Sequence, residues 1–189
     1  SVACLQSGNS AMTAAPSKIG LGGGCHWCTE SVFQSLLGVA CVNQGWLASN
    51  GKNSDYSEAV EVYFDPAAIS LSELIEIHLH THASRSNHSM RHNYRSAIYA
   101  YDDSQFEQAA DILNDLRAEF DEPLITQAYP FKGFKKNKIE LIDYFYSAPA
   151  RPFCQTYIQP KLKLLLALFN RHVNRGKMAG ALNSVRENT

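Results

Sequence analysis

The spacing of apolar positions along the chain changes period several times, and each change marks an element. Positions 18–21 are short and mostly apolar and run into Gly22-Gly23-Gly24, a first strand ending in a turn. From 25 to 37 the apolar residues Val32, Phe33, Leu36 and Leu37 recur at helical spacing, and Gly38 ends the helix. Positions 39–48 read as a second strand and 49–57 as a polar turn containing Asn50-Gly51. Over 58–64 the pattern alternates, with Val60, Val62 and Phe64 on one face and Glu61 and Tyr63 on the other, and Asp65-Pro66 closes this strand. Positions 71–82 put Leu71, Leu74, Ile75 and His78 on one side of a helix that Ser70 is placed to cap. A polar loop at 84–93, a fourth strand at 95–101, a long amphipathic helix at 103–120 and a fifth strand at 124–129 follow. Positions 139–150 are mixed, and 162–173 read as a last helix.

The order strand–helix–strand–strand–helix–strand is that of a ferredoxin-like core. The expected fold is a single α/β domain over 18–175, a two-layer sandwich with a C-terminal extension, between a flexible leader at 1–17 and a polar tail at 176–189. The chain has 189 residues, 45% of them hydrophobic and 19% charged, enough apolar material for one sizeable core. A net charge of −1 argues against a nucleic-acid footprint, and no apolar run approaches a membrane span. The leader is small, polar and alanine-rich and lacks the pattern of an intact signal peptide. The five cysteines are odd in number, which argues against a secreted disulfide framework. A cytoplasmic monomer is the expectation.

The segment Gly22-Gly23-Gly24-Cys25-His26-Trp27-Cys28-Thr29-Glu30 carries the most chemical information. The glycines allow a sharp turn and close approach of a ligand. Cys25 falls at a helix start, where unpaired N–H groups and the helix dipole favour a thiolate. The bland alternative, two small core residues, does not explain the glycine crowding. A structural zinc site would need a second close ligand pair, which the sequence lacks, and no metal is expected. Trp27 is either a core tryptophan or a pocket wall. Glu58 sits among apolar neighbours at a strand start, either as a solvated edge residue or as a carboxyl that serves as an acid. Tyr94 and Arg95 open the fourth strand within reach of a shared site, and Tyr56, two residues before Glu58, can project the same way.

With these residues in view, the chain resembles the peptide methionine sulfoxide reductase A family. That family carries Gly-Cys-Phe-Trp at its active cysteine, and here Gly24-Cys25-His26-Trp27 stands in its place. Gly45-Trp46 matches Gly-Tyr, and Tyr56-Ser57-Glu58 matches His-Ala-Glu before a strand that ends in Asp-Pro. Asn93-Tyr94-Arg95-Ser96-Ala97-Ile98 matches Gln-Tyr-Arg-Ser-Ala-Ile, with Gln105 in the next helix. The resemblance runs over roughly 19–157. It implies that Cys25 attacks the sulfur of methionine sulfoxide, that Glu58 protonates its oxygen, that Tyr94 hydrogen-bonds that oxygen and that Trp27 packs on the S-methyl group. A sulfenic acid on Cys25 would then condense with a second thiol, Cys28 or Cys154, and thioredoxin or another dithiol would reduce the bridge with no metal or organic cofactor. The chain departs from the family in a short loop after Trp46, where Tyr56 is the substitute for a lost tyrosine. Ser89 stands in place of an aspartate, and His26 forms the pocket wall. Two other classes remain: a general thiol–disulfide oxidoreductase using Cys25 and Cys28, and a catalytically silent module that binds methionine peptides. Cys41 reads as a strand core residue.

Overall fold

The computed structural model describes residues 16–86 and 91–187. Ser89 and most of the leader therefore lie outside the described residues. Six strands form one sheet in the order β5-β4-β1-β3-β2-β6: β1 (Ser17–Gly22), β2 (Val39–Ala48), β3 (Ser57–Phe64), β4 (Ala97–Ala100), β5 (Gln127–Pro130) and β6 (Gly133–Lys136). The inner order β4-β1-β3-β2, antiparallel throughout, is the ferredoxin-like core. β5 adds in parallel beside β4 and β6 antiparallel beside β2. The main helices are α1 (His26–Gln34), α2 (Leu71–Thr81), α3 (Asp103–Leu116), a single turn α4 (Tyr144–Ser147), α5 (Gln159–Phe169) and α6 (Arg175–Glu187).

The main core lies between the sheet and these helices. Val60, Val62 and Phe64 of β3 meet Val32 and Phe33 of α1, Leu74 and Ile75 of α2, and Leu162 and Leu165 of α5. The opposite face of the sheet is also covered: Leu47, Ala59, Ala97 and Tyr99 form a smaller cluster under Tyr129, Phe131 and Phe134. Ser70 caps α2 through a capping box, accepting from Glu73 N at 3.0 Å while the Glu73 carboxylate accepts from Ser70 N at 2.9 Å.

Several boundaries move. The first helix stops at Gln34, because the chain bends there to let Leu36 bridge Val173. The fourth and fifth strands begin at Ala97 and Gln127, shorter than their apolar stretches. β6 is Gly-Phe-Lys-Lys, too short and polar to stand out in a sequence, and it exists because the edge of β2 is open to pair it. The last predicted helix begins earlier, at Gln159, after a π-helical turn at Cys154–Ile158, and ends at Phe169. The stretch read as a polar tail is largely α6, which buries Met178 and Val185. Cys41, read as core, is half-buried beside the β2 bulge and disulfide-bonded.

Candidate active site

The Gly22–Gly24 turn brings the end of β1 onto the start of α1. Gly23 has φ +151°, a conformation that side chains rarely adopt, and a Cβ there would also strike the His82 ring. Two groups, the buried His78 and the half-buried Arg91, hold this turn from behind. His78 Nε2 donates to Gly22 O at 2.7 Å, and Arg91 Nη1 donates to Gly23 O at 2.6 Å and to Tyr94 O at 2.9 Å. Arg91 thereby ties the Tyr94 segment to the turn.

Cys25 is the N-cap of α1, its carbonyl accepting from Cys28 N at 3.1 Å and Thr29 N at 3.2 Å. Its thiol is half-buried and ionises more readily than an ordinary cysteine. The largest cause is a hydrogen bond from the Cys28 side chain. Burial opposes it, the backbone N–H of Trp27 adds to it, and the charge of Glu58 again opposes. The same contact pushes the Cys28 thiol far up, since losing its proton would remove the bond and set two anions side by side. Cys25 is thus the more acidic thiol of the pair and Cys28 its hydrogen-bond donor.

Glu58 leaves β3 opposite Cys25, in register with Trp46. Its Oε1 accepts from His26 N at 3.3 Å and lies 3.1 Å from His26 Nε2. Tyr94 turns its hydroxyl to the same carboxylate, and the charge of Glu58, followed by burial, raises its pKa. Cys25, Cys28, His26, Glu58 and Tyr94 are therefore gathered at one point. Trp27 stacks on Tyr144 at 4.1 Å with the rings 5° from parallel, and Phe153 closes the corner at 5.1 Å and 88°. Tyr56 is exposed at the rim, its ring beneath Lys135 Nζ at 4.2 Å on β6. Cys154 is buried in the core shared with Cys28, its Sγ 3.8 Å from Ala148 O.

Sequence reasoning missed the residues that build this site from a distance. Glu30 is buried on α1, and its carboxylate accepts from Asp143 N, Tyr144 N and Gln44 Nε2 at 2.9–3.0 Å. It fixes Asp143 in a left-handed conformation (φ 52°), and so aims Tyr144 at Trp27. Burial raises the Glu30 pKa against those three hydrogen bonds. Lys161 shares the inward stripe of α5 with Leu162 and Leu165, continued by Ile158 of the preceding π-helical turn, and its Nζ donates to Thr81 O. Its charge acts on Cys28 and Cys25. A lysine at a core position of a helical stripe was the available signal.

An acidified thiol held at a helix start, with a carboxyl and a phenol facing it and an aromatic wall beside it, is the site of a thiol-based enzyme. A family model for peptide methionine sulfoxide reductase matches residues 17–172. The chain is 34% identical over 170 residues to a peptide methionine sulfoxide reductase MsrA of Trichodesmium erythraeum, covering 82% of this chain and 96% of that protein. It is 34% identical over 162 residues to one from Ralstonia nicotianae, with 75% and 85% covered. Among solved structures, reduced Mxr1 of Saccharomyces cerevisiae superposes with a TM-score of 0.67 at 22% identity over 77% of this chain and 92% of Mxr1. Mxr1 in complex with Trx2 superposes with 0.56 at 22% identity over 67% and 84%. The chain belongs to the peptide methionine sulfoxide reductase family and is an oxidoreductase of the MsrA type acting on methionine sulfoxide.

Proposed function

We propose that the protein is a peptide-methionine (S)-S-oxide reductase that works through a Cys25 sulfenic acid. The observation that carries this reading is the single cluster of a Cys25 thiolate, its Cys28 donor, Glu58 and Tyr94. The thiolate attacks the sulfoxide sulfur while Glu58 delivers a proton to the oxygen and Tyr94 donates a hydrogen bond to it. Methionine leaves, reduced by two electrons, and Cys25 carries the hydroxyl as sulfenic acid, oxidised by two. The Trp27, Tyr144 and Phe153 rings offer an apolar wall for the S-methyl group. A second thiol then attacks the sulfenic sulfur, a disulfide forms, and its proton leaves with the hydroxyl as water. Cys28 is the resolving thiol favoured here, because it already touches Cys25; Cys154 is the alternative. Thioredoxin is the proposed reductant, supported by the solved complex of Mxr1 with Trx2.

The wild-type protein, given excess sulfoxide and no external thiol, should form one methionine per chain and lose two free thiols. Cys28→Ser should still form that methionine but lose only Cys25 and stop recycling with thioredoxin, while Cys154→Ser should recycle normally. A Cys28→Ser variant that recycles at the wild-type rate excludes Cys28 as the resolving thiol.

A further inference from the structure

His26 stands where the resemblance would put a phenylalanine, and the structure gives it specific chemistry. The ring is buried, 4% exposed, with its edge against Trp46 at 5.1 Å. Nδ1 lies 2.7 Å from Gly45 O, and a carbonyl only accepts, so Nδ1 carries a proton. Burial favours the neutral ring over the imidazolium, against the pull of the Glu58 charge. A neutral ring protonated at Nδ1 has a lone pair on Nε2, and Nε2 sits 3.1 Å from Glu58 Oε1. Two lone pairs at that distance repel. One proton between them converts the contact into a hydrogen bond, whichever atom holds it. Asn137 Nδ2 has two hydrogens, one given to Gln44 Oε1 at 2.6 Å and the other directed at Nε2 from 3.4 Å, a longer contact than the 3.1 Å between Nε2 and Glu58 Oε1.

We propose that His26 is a proton-positioning residue: it shares one proton with Glu58 and so keeps the acid loaded for transfer to the sulfoxide oxygen. This rests on the reading of Glu58 as the acid. The shared proton has a second effect. The Glu58 charge opposes ionisation of Cys25, so a pair that holds its proton leaves the thiolate undisturbed. When the proton passes to the substrate oxygen, that oxygen becomes the hydroxyl, and the pair must bind another proton before the next turnover. Among the described residues, the other titratable groups facing the pair are Cys25, whose thiol is pulled down, and Tyr94, whose phenol is pushed up. On β6, Lys135 holds its Nζ over the Tyr56 ring.

The test is the pH profile of single-turnover methionine formation in wild type, His26→Phe and His26→Gln. A proton shared with an acceptor nitrogen is held to higher pH than one on a carboxyl alone. The variants should therefore lose rate on the alkaline side, at least tenfold at pH 8, with less than a threefold change at pH 5.5. The Glu58 side-chain carbon, followed by NMR without substrate, should titrate at lower pH in both variants. A uniform loss of rate at every pH with an unmoved Glu58 midpoint would mark His26 as merely structural and overturn the proposal. A moved midpoint in a protein that reduces no sulfoxide would leave the pairing standing and remove the reductase reading instead.

Discussion

Glu58→Gln is expected to slow the chemical step by about a hundred- to ten-thousand-fold, the range for losing a positioned general acid. The substitution is close to isosteric, and a glutamine oxygen still accepts from His26 N, so the α1 start keeps its anchor on β3. What disappears is the transferable proton. Without it the sulfoxide oxygen must leave as an anion in a half-buried pocket, which low local polarity makes costly. Cys25 should keep its reactivity to a simple alkylating agent, because the Cys28 donor that lowers its pKa is untouched. Unchanged alkylation together with slower sulfoxide reduction separates loss of the acid from damage to the thiol. Glu58→Gln with wild-type single-turnover kinetics removes Glu58 from the mechanism.

The fold should lose stability as pH falls below 6.5, before most carboxylates titrate. His78, buried, and His82, half-buried, stack at 4.0 Å behind the Gly22–Gly24 turn. Thr126, Ser96 and His82 form a hydroxyl-to-imidazole chain at 2.6 and 2.7 Å, and His82 Nδ1 donates to His78 O at 2.5 Å. Desolvation is the largest cause of their low affinity for protons. It pulls His78 down to about 4 and His82 well below its usual value. The folded pKa of each lies below the unfolded value, so the unfolded chain binds the extra protons. The stabilisation is complete above pH 6.5 and is lost as pH falls towards the folded pKa. His78 alone should remove about 2 kcal/mol by pH 5, at roughly 1.4 kcal/mol per pH unit, and His82 acts in the same direction. Denaturant unfolding between pH 7.5 and 5 measures this directly, and a flat stability over that interval would contradict the neutral-pair geometry. Activity should fall with it, because His78 holds Gly22 O and so the approach to Cys25.

The elements that face one core were legible because period alone defines them. The alternation of Val60, Val62 and Phe64 gave β3, and Ser70 marked the start of α2. Elements that exist by docking were not. β6 forms on an open edge, and α6 is mostly polar with two buried contacts. The site divides the same way. Cys25, with its glycine turn, could be read locally, because a helix start acts on the residue that occupies it. Glu58 and Tyr94 needed the resemblance to choose between a solvated edge and a site. Glu30, Tyr144, Arg91 and Lys161 act across 68 to 136 positions of sequence, as in the Glu30–Tyr144 contact at |i−j| 114 and the Arg91–Gly23 contact at |i−j| 68. No local pattern encodes such pairs. His78, read on the inward face of α2, is buried there, while His80 pairs with Glu119 at 3.1 Å.

The most direct measurement is single-turnover reduction of the separate S and R diastereomers of N-acetyl-methionine sulfoxide amide, beside a Cys25→Ser control and with no external thiol in the reaction. Methionine formed from the S diastereomer alone, and abolished in Cys25→Ser, is the expected result. Methionine from neither form, or turnover that survives Cys25→Ser, would contradict a Cys25-centred reductase.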